Sequence, residues 1–207
     1  PVFAPAISNQ SEPRIRLITK KTEQTQIALG IRTCSRHDPR RHALRLLNAI
    51  LGENMSSRLF QIIREDRGLA YSIYSTPSLF QDVGDLVISA GLDADNVPRT
   101  LQLIRRELRR CTESLPGAAE LRRARDYVIG QTDLSLESTD NQMNWIGEQL
   151  LGYGKITRAA DYKRRLEKVR PAEIRAVARD FFRPDRMNLA LISPLKSTAG
   201  FANVFRL

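Results

Sequence analysis

Cys34 and His37 stand three residues apart and have the types of a thiol nucleophile and its base. His37 and His42, five apart, are the chain's two histidines and its first candidates for holding a metal. Neither pair has the spacing that its chemistry needs. A nucleophile and its base are usually brought together by the fold rather than by the chain, so Cys34 and His37 read as coincidental neighbours. Two histidines share a helix face at i,i+4, not at five, and a catalytic zinc takes three protein ligands. The histidines therefore read as surface or capping residues, and no metal site is expected. The longer motifs are also missing. There is no H-x-x-E-H, no phosphate-cradling G-x-x-x-x-G-K-[ST], no G-x-G-x-x-G after a strand and no G-x-S-x-G elbow. Cys34 and Cys111 lack C-x-x-C spacing, so they give neither a disulfide framework nor a zinc site and leave the compartment open. Cys111 falls on an apolar helical stripe and reads as a small core residue.

Periodicity predicts the elements that must position any site. Pro1, Pro5 and Pro13 bracket a polar stretch, so 1–13 reads as a linker or terminal arm and 14–207 as one domain. Ile15 and Leu17 alternate with arginines, and Ile27, Leu29 and Ile31 with Gln26, Ala28 and Gly30, giving two half-buried strands. Asp38-Pro39 predicts a helix start, Asp38 as N-cap and Pro39 at the first helical position. The stripe Ala43, Leu46, Leu47, Ile50 and Leu51 follows, and Gly52 stops it. Ser56 is expected to cap a second helix running to about Asp66, with Gly68 breaking it. Strands over 69–80 and 84–92 form a hairpin about 81–84, with Tyr71, Ile73 and Ser75 on one face and Tyr74 on the other. The second half is predicted helical. Leu101, Ile104, Leu108, Cys111 and Leu115 make one stripe, and Leu121, Ala124 and Val128 a second. Met143, Ile146 and Leu150 mark a third helix over 141–152. Pro171 opens a fourth, with Ile174, Val177, Ala178 and Phe181. An apolar strand over 187–192 belongs inside the sheet. Paired strands followed by runs of helices predict an α+β fold: a largely antiparallel sheet with helices packed on one face.

A chain of 207 residues can bury a substantial single core. Its net charge of +10 comes mostly from arginine pairs such as Arg40-Arg41, Arg105-Arg106, Arg109-Arg110, Arg122-Arg123 and Arg164-Arg165. These are interleaved with acids and form no long block, which reads as solvated helix faces, with a basic docking or chamber surface as the other reading. Charge alone speaks for nucleic acid, and the aromatic-basic interleaving that stacks bases is missing, so no nucleic-acid partner is expected. No apolar run nears the ~18 residues of a membrane span, and no signal peptide is visible. A soluble protein of the cytoplasm or periplasm is expected. The start at Pro1 rather than Met reads as a trimmed chain or part of a longer one.

One segment is far more specific. Residues 46–75 contain Leu46-Leu47 and Leu51-Gly52, then Met55-Ser56-Ser57-Arg58-Leu59-Phe60, then Arg64-Glu65-Asp66-Arg67-Gly68-Leu69-Ala70-Tyr71-Ser72. This text resembles the second, non-zinc domain of pitrilysin/insulinase-type zinc metallopeptidases, the group that includes mitochondrial-processing-peptidase-like enzymes. That family shows a helix ending LL-x-x-x-LG, then MSSRLF, then REK-x-GLAYS. Glu53-Asn54 stands where glycines are usual, and Glu65-Asp66-Arg67 where Glu-Lys plus one residue is usual. A weaker likeness covers 24–30 and 172–181. The resemblance implies one half of a closed peptide-binding chamber, with zinc on a homologous partner half, upstream on the same chain or in a separate subunit. A homodimer is one possible arrangement. It also implies a peptide substrate and an Arg/Tyr pair seven residues apart, here Arg64 and Tyr71, for substrate binding and oxyanion stabilisation. A phenol is a suitable neutral donor to an oxyanion, and a guanidinium a permanently charged donor to carbonyls. Their packing reading stands beside this one: Arg64 as a helix-end cation and Tyr71 as a half-buried strand aromatic. Arg58, at a helix start unfavourable to a cation, needs a carboxylate partner and reads as structural. This chain alone is expected to be inactive, and the alternative is an inactive structural or peptide-binding subunit of a larger complex.

Overall fold

The computed structural model describes residues 4–7 and 9–207, so 1–3 and 8 of the expected arm lie outside the described residues. The order is β1 (Arg14–Thr19), β2 (Thr25–Thr33), α1 (Arg41–Leu51), a π-helical turn (Phe60–Glu65), β3 (Ser72–Leu79) and β4 (Gly84–Leu92). Then come α2 (Val97–Glu113), α3 (Ala118–Ser135), α4 (Thr139–Tyr153), α5 (Ala159–Lys168), α6 (Pro171–Phe181), β5 (Met187–Ser193) and a 3-10 turn (Phe201–Phe205).

The strands make one sheet in the order β1-β5-β2-β4-β3. β5 pairs in parallel with β1 and antiparallel with β2, and the β2–β4 and β4–β3 ladders are antiparallel. The α+β class, the largely antiparallel sheet and the interior place of β5 are thus as the sequence predicts. Period two decides the layers. Ile27, Leu29, Ile31, Ile73, Leu86, Ile88, Leu189 and Leu191 turn to one face and are buried in a single core with α1, α2 and α6. Alternate positions such as Gln26, Asn188 and Ala190 are half-buried or exposed on the other face. Leu46, Leu47 and Leu51 of α1 are at most 1% exposed, and each such burial contributes about 1.5–3 kcal/mol. On the open face, the arm is tied by Gln10, whose amide nitrogen donates to the Met187 carbonyl at 3.0 Å while its oxygen accepts from Asn188 Nδ2 at 3.0 Å.

Several expectations fail in instructive ways. α1 begins at Arg41, not Pro39, and Asp38 makes no helix cap. Its carboxylate accepts from the Arg40 amide at 2.8 Å instead, closing a turn before the helix. The helix expected from Ser56 to Asp66 starts two residues late, at Arg58, and passes into the π turn, because 53–57 form a loop in which Asn54 Oδ1 accepts from the Ser56 amide at 2.9 Å and Asn54 Nδ2 donates to the Ala49 carbonyl at 3.0 Å. β3 starts at Ser72, three residues late. Leu115 lies beyond the end of α2 and is exposed. α5 was not anticipated, since its charged surface buries only Leu166 and hides the stripe. In α4, Met143, Ile146 and Leu150 are 64%, 45% and 54% exposed. The helix docks instead through Trp145, edge-on to Tyr162, and Tyr153, edge-on to His37.

Candidate functional site

The motif-bearing segment folds into the connection between α1 and β3, held at both ends. Gly52 ends α1, and its carbonyl accepts the Ser75 amide at 2.8 Å. A β-carbon there would lie 2.6 Å from Ser75 Oγ, so this approach needs a glycine. The unusual Glu53 is half-buried, ion-paired to Arg45 and accepting from Asn48 Nδ2 at 2.9 Å. Asn48 also takes the Ser75 hydroxyl at 2.6 Å, joining α1 to β3. Arg58 has the carboxylate that its position demands. Its Nε and Nη2 each donate to Glu120 at 2.7 Å, a fork-to-carboxylate pair with α3's first turn. Only 9% of the Arg58 side chain is exposed.

Past Arg58 the backbone winds into the π turn. The Asp66 amide donates to the Gln61 carbonyl at 2.8 Å, five residues back, and the Leu69 amide to the Ile63 carbonyl at 2.9 Å. Such wide turns recur at functional sites. Gly68, at φ +60°, reverses the chain in the left-handed region that side chains avoid. Arg64 leaves the turn exposed, its guanidinium over the Phe60 ring at 4.9 Å from the centroid; the π-face holds the cation in place.

Tyr71 sits just ahead of β3. Ile73 and Ser75 are buried as their shared parity predicts, but Tyr71, ahead of the strand, is 55% exposed. The end of β4 and the β4–α2 connection grip this stretch at three points. The Tyr71 amide donates to the Gly91 carbonyl at 2.8 Å. Asn96 Nδ2 donates to the Leu69 carbonyl at 3.3 Å. The Tyr71 hydroxyl donates to Asp93 Oδ1 at 3.0 Å. That hydrogen bond and the nearby negative charge raise the phenol pKa above its ordinary value. Arg64 and Tyr71 thus flank one glycine-centred reversal, each presenting a polar tip to solvent.

The other candidates have different fates. Burial, helped by Asp38, pushes the Cys34 thiol up to about 11, and burial does the same at Cys111. Neither is poised as a thiolate. His37 is exposed. His42 corrects the surface reading: it is buried, lies 5.7 Å from the Tyr162 ring and has its pKa lowered to about 4 by burial and by Arg41 and Arg165. Among the described residues, no three His, Cys, Asp or Glu side chains are grouped to hold a metal ion. The donor set present does not fit zinc.

Residues 2–128 match the family described as the peptidase M16 inactive domain. The chain belongs to that family. It is 43% identical over 183 residues to an uncharacterized zinc protease of Streptomyces coelicolor, covering 88% of this chain and 40% of that protein. An uncharacterized zinc protease of Bacillus subtilis is 37% identical over 175 residues, covering 84% and 42%. A solved peptidase M16 inactive domain from Pseudomonas fluorescens superposes with TM-score 0.83 at 24% identity, over 95% of this chain and 48% of that one. A protease structure from Helicobacter pylori gives 0.82 at 19% identity, over 94% and 47%. The chain therefore spans less than half the length of the curated relatives it matches.

In this inactive-domain fold, sequence reasoning missed two partners of the motif residues. Glu120 and Asp93 lie 62 and 22 positions from Arg58 and Tyr71. For Glu120 a faint signal existed: an acid in the first turn of a helix opened by Pro116-Gly117. For Asp93 none did, since an acid after a strand is common.

Proposed function

We propose that this domain is the non-zinc half of a zinc metallopeptidase chamber, in which Arg64 binds substrate carbonyls and Tyr71 stabilises the oxyanion. Zinc is carried by a homologous half, on the same full-length chain or on a separate subunit. The arm over 1–13 serves as the end of the connection between halves. The observation that carries this reading is the exposure of both Arg64 and Tyr71 around one tightly gripped reversal. The neighbouring motif residue Arg58, by contrast, is committed to an internal ion pair.

The role of Tyr71 has a definite chemistry. A phenol has one proton, and here it goes to Asp93. To stabilise an oxyanion the hydroxyl leaves Asp93 and donates to the developing negative charge, while water solvates the freed carboxylate. A tyrosine phenol, with an ordinary pKa near 10, is a neutral donor at neutral pH, as the role requires. The planar guanidinium fork of Arg64 suits a pair of backbone carbonyls.

The test is Tyr71→Phe in the full-length protein. Loss of one oxyanion donor costs about 10²–10³ in kcat, with KM little changed, the sign of a contact made only in the transition state. The Tyr71–Asp93 bond also favours a second reading, an inactive structural or peptide-binding subunit in which Tyr71 only braces the β4–α2 connection. Unchanged turnover by the Phe variant, with lowered stability, is the result that selects it.

A further inference from the structure

Some of the arginines that look scattered along the sequence gather at one place on the molecule. Arg67, Arg99, Arg105, Arg106 and Arg109 line one cavity of about 450 Å³, with Gln102 and Leu103 between them. No carboxylate residue lines it. Arg106 pairs with Glu107 at 3.2 Å and Arg109 with Glu113 at 2.7 Å, while Arg105 donates to the Arg206 carbonyl at 2.6 Å. Neither Arg67 nor Arg99 takes part in an ion pair among the described residues. Several guanidiniums sharing a concavity repel one another, an arrangement that an anionic occupant relieves.

The cavity adjoins the Arg64–Tyr71 reversal. Arg67 lies on that reversal, one residue before Gly68. Arg99 lies on the first turns of α2, six residues after Asp93, which holds Tyr71. From Arg99 to Arg109 the patch runs about 15 Å along α2, ten residues at the helical rise. An extended peptide covers that length in about five residues.

We propose that this arginine cavity selects peptides that are acidic on one side of the scissile bond. This rests on the chamber reading above and deepens it by naming the substrate class. Guanidinium forks pair with carboxylates in a bidentate way, and an exposed cluster of one sign raises the local concentration of opposite charge. Nucleic acid is the competing polyanion. The cavity has no aromatic lining on which bases could stack, and the chain belongs to a peptidase family.

The experiment uses the full-length, zinc-loaded protein and two peptides with one scissile sequence, flanked by glutamates or by glutamines. The ratio of kcat/KM, acidic over neutral, is measured from low to high salt. The cavity predicts a ratio of about ten or more at low ionic strength, falling toward one as salt screens the charges. Arg67→Glu with Arg99→Glu brings the low-salt ratio to one or below, and Arg67→Gln with Arg99→Gln to an intermediate value. Both sites are exposed, and circular dichroism confirms folding. A ratio near one in the parent protein overturns the proposal, as does a preference that survives the charge reversal. If the reversal abolishes binding of a labelled oligonucleotide or of polyphosphate but leaves the peptide ratio untouched, the cavity is a phosphate site and the proposal also fails. Tyr71→Phe separates the two readings. It lowers turnover on both peptides without moving their ratio, so a silent Tyr71 sinks the oxyanion role and leaves the charge selection to be judged on the ratio.

Discussion

Replacing Arg58 by Met tests how the motif segment is anchored. The pair to Glu120 has two hydrogen bonds of 2.7 Å, with Arg58 9% and Glu120 23% exposed at the side chain. Removing one member of a fully buried ion pair costs about 3–5 kcal/mol, most of it the stranded partner. Glu120 retains some access to water, and methionine refills most of the aliphatic volume, so a loss of about 2–3 kcal/mol is expected. For a domain of this size that lowers the melting temperature by roughly 5–10 °C. Urea unfolding followed by circular dichroism gives the free energy. The Arg58→Met/Glu120→Gln double variant closes a cycle with a coupling of about 1.5 kcal/mol or more. Acid adds a second reading. Burial opposes the Glu120 charge, but the Arg58 hydrogen bonds outweigh it and hold the pKa below the ordinary 4.5. A carboxyl whose folded pKa is depressed stabilises above its unfolded pKa and loses that contribution as pH falls through the folded value. The parent protein thus loses stability below about pH 4.5 more steeply than Arg58→Met does. A variant within about 0.5 kcal/mol of the parent, or a coupling near zero, would show the pair to be surface decoration and refute the anchoring.

Two further outcomes are expected. His42, with its folded pKa near 4 against an ordinary 6.5, favours the folded state while neutral, so stability falls as pH drops from about 6.5 toward 4, by roughly 2–3 kcal/mol; His42→Leu flattens urea midpoints across that window. Asp93→Asn removes the charge that raises the Tyr71 phenol, so ultraviolet difference titration finds one tyrosine ionising at lower pH than in the parent, and an unchanged titration contradicts the hydrogen bond.

The sheet was legible because one rule governs it. Alternation fixes both strand and buried face, and 84–92 needed only that rule and the hairpin turn. The helices were legible where apolar spacing and burial coincide, as in α1 and α6. The spacing misled in α4, where Met143, Ile146 and Leu150 form a stripe that faces away from the core while Trp145 and Tyr153 make the contacts. Periodicity says that a helix has a side, and only the packing of its neighbours says which side is covered. The same limit hid the arginine cavity. Interleaved acids mask the cluster along the chain, but Glu107 lies on the buried face of α2, while Arg99, Arg106 and Arg109 stand on its exposed face.

The site shows why position in the chain and placement in the fold carry different information. Arg58, Arg64 and Tyr71 sit in one contiguous motif, yet the structure gives them unlike duties through residues outside it. Glu120 takes Arg58 inward and fixes the start of the segment to α3. The π turn and Gly68 then carry the chain outward, so that Arg64 and Tyr71 emerge on either side of the reversal. Asp93 and Asn96, from the connection into α2, hold the far end. A segment clamped at both ends and exposed in the middle presents side chains without spending them on its own stability. Substitutions at Arg58 should therefore appear first as lost stability, and those at Tyr71 as lost turnover. A Tyr71→Phe protein that unfolds more readily than Arg58→Met would reverse that division and place Tyr71 among the packing residues.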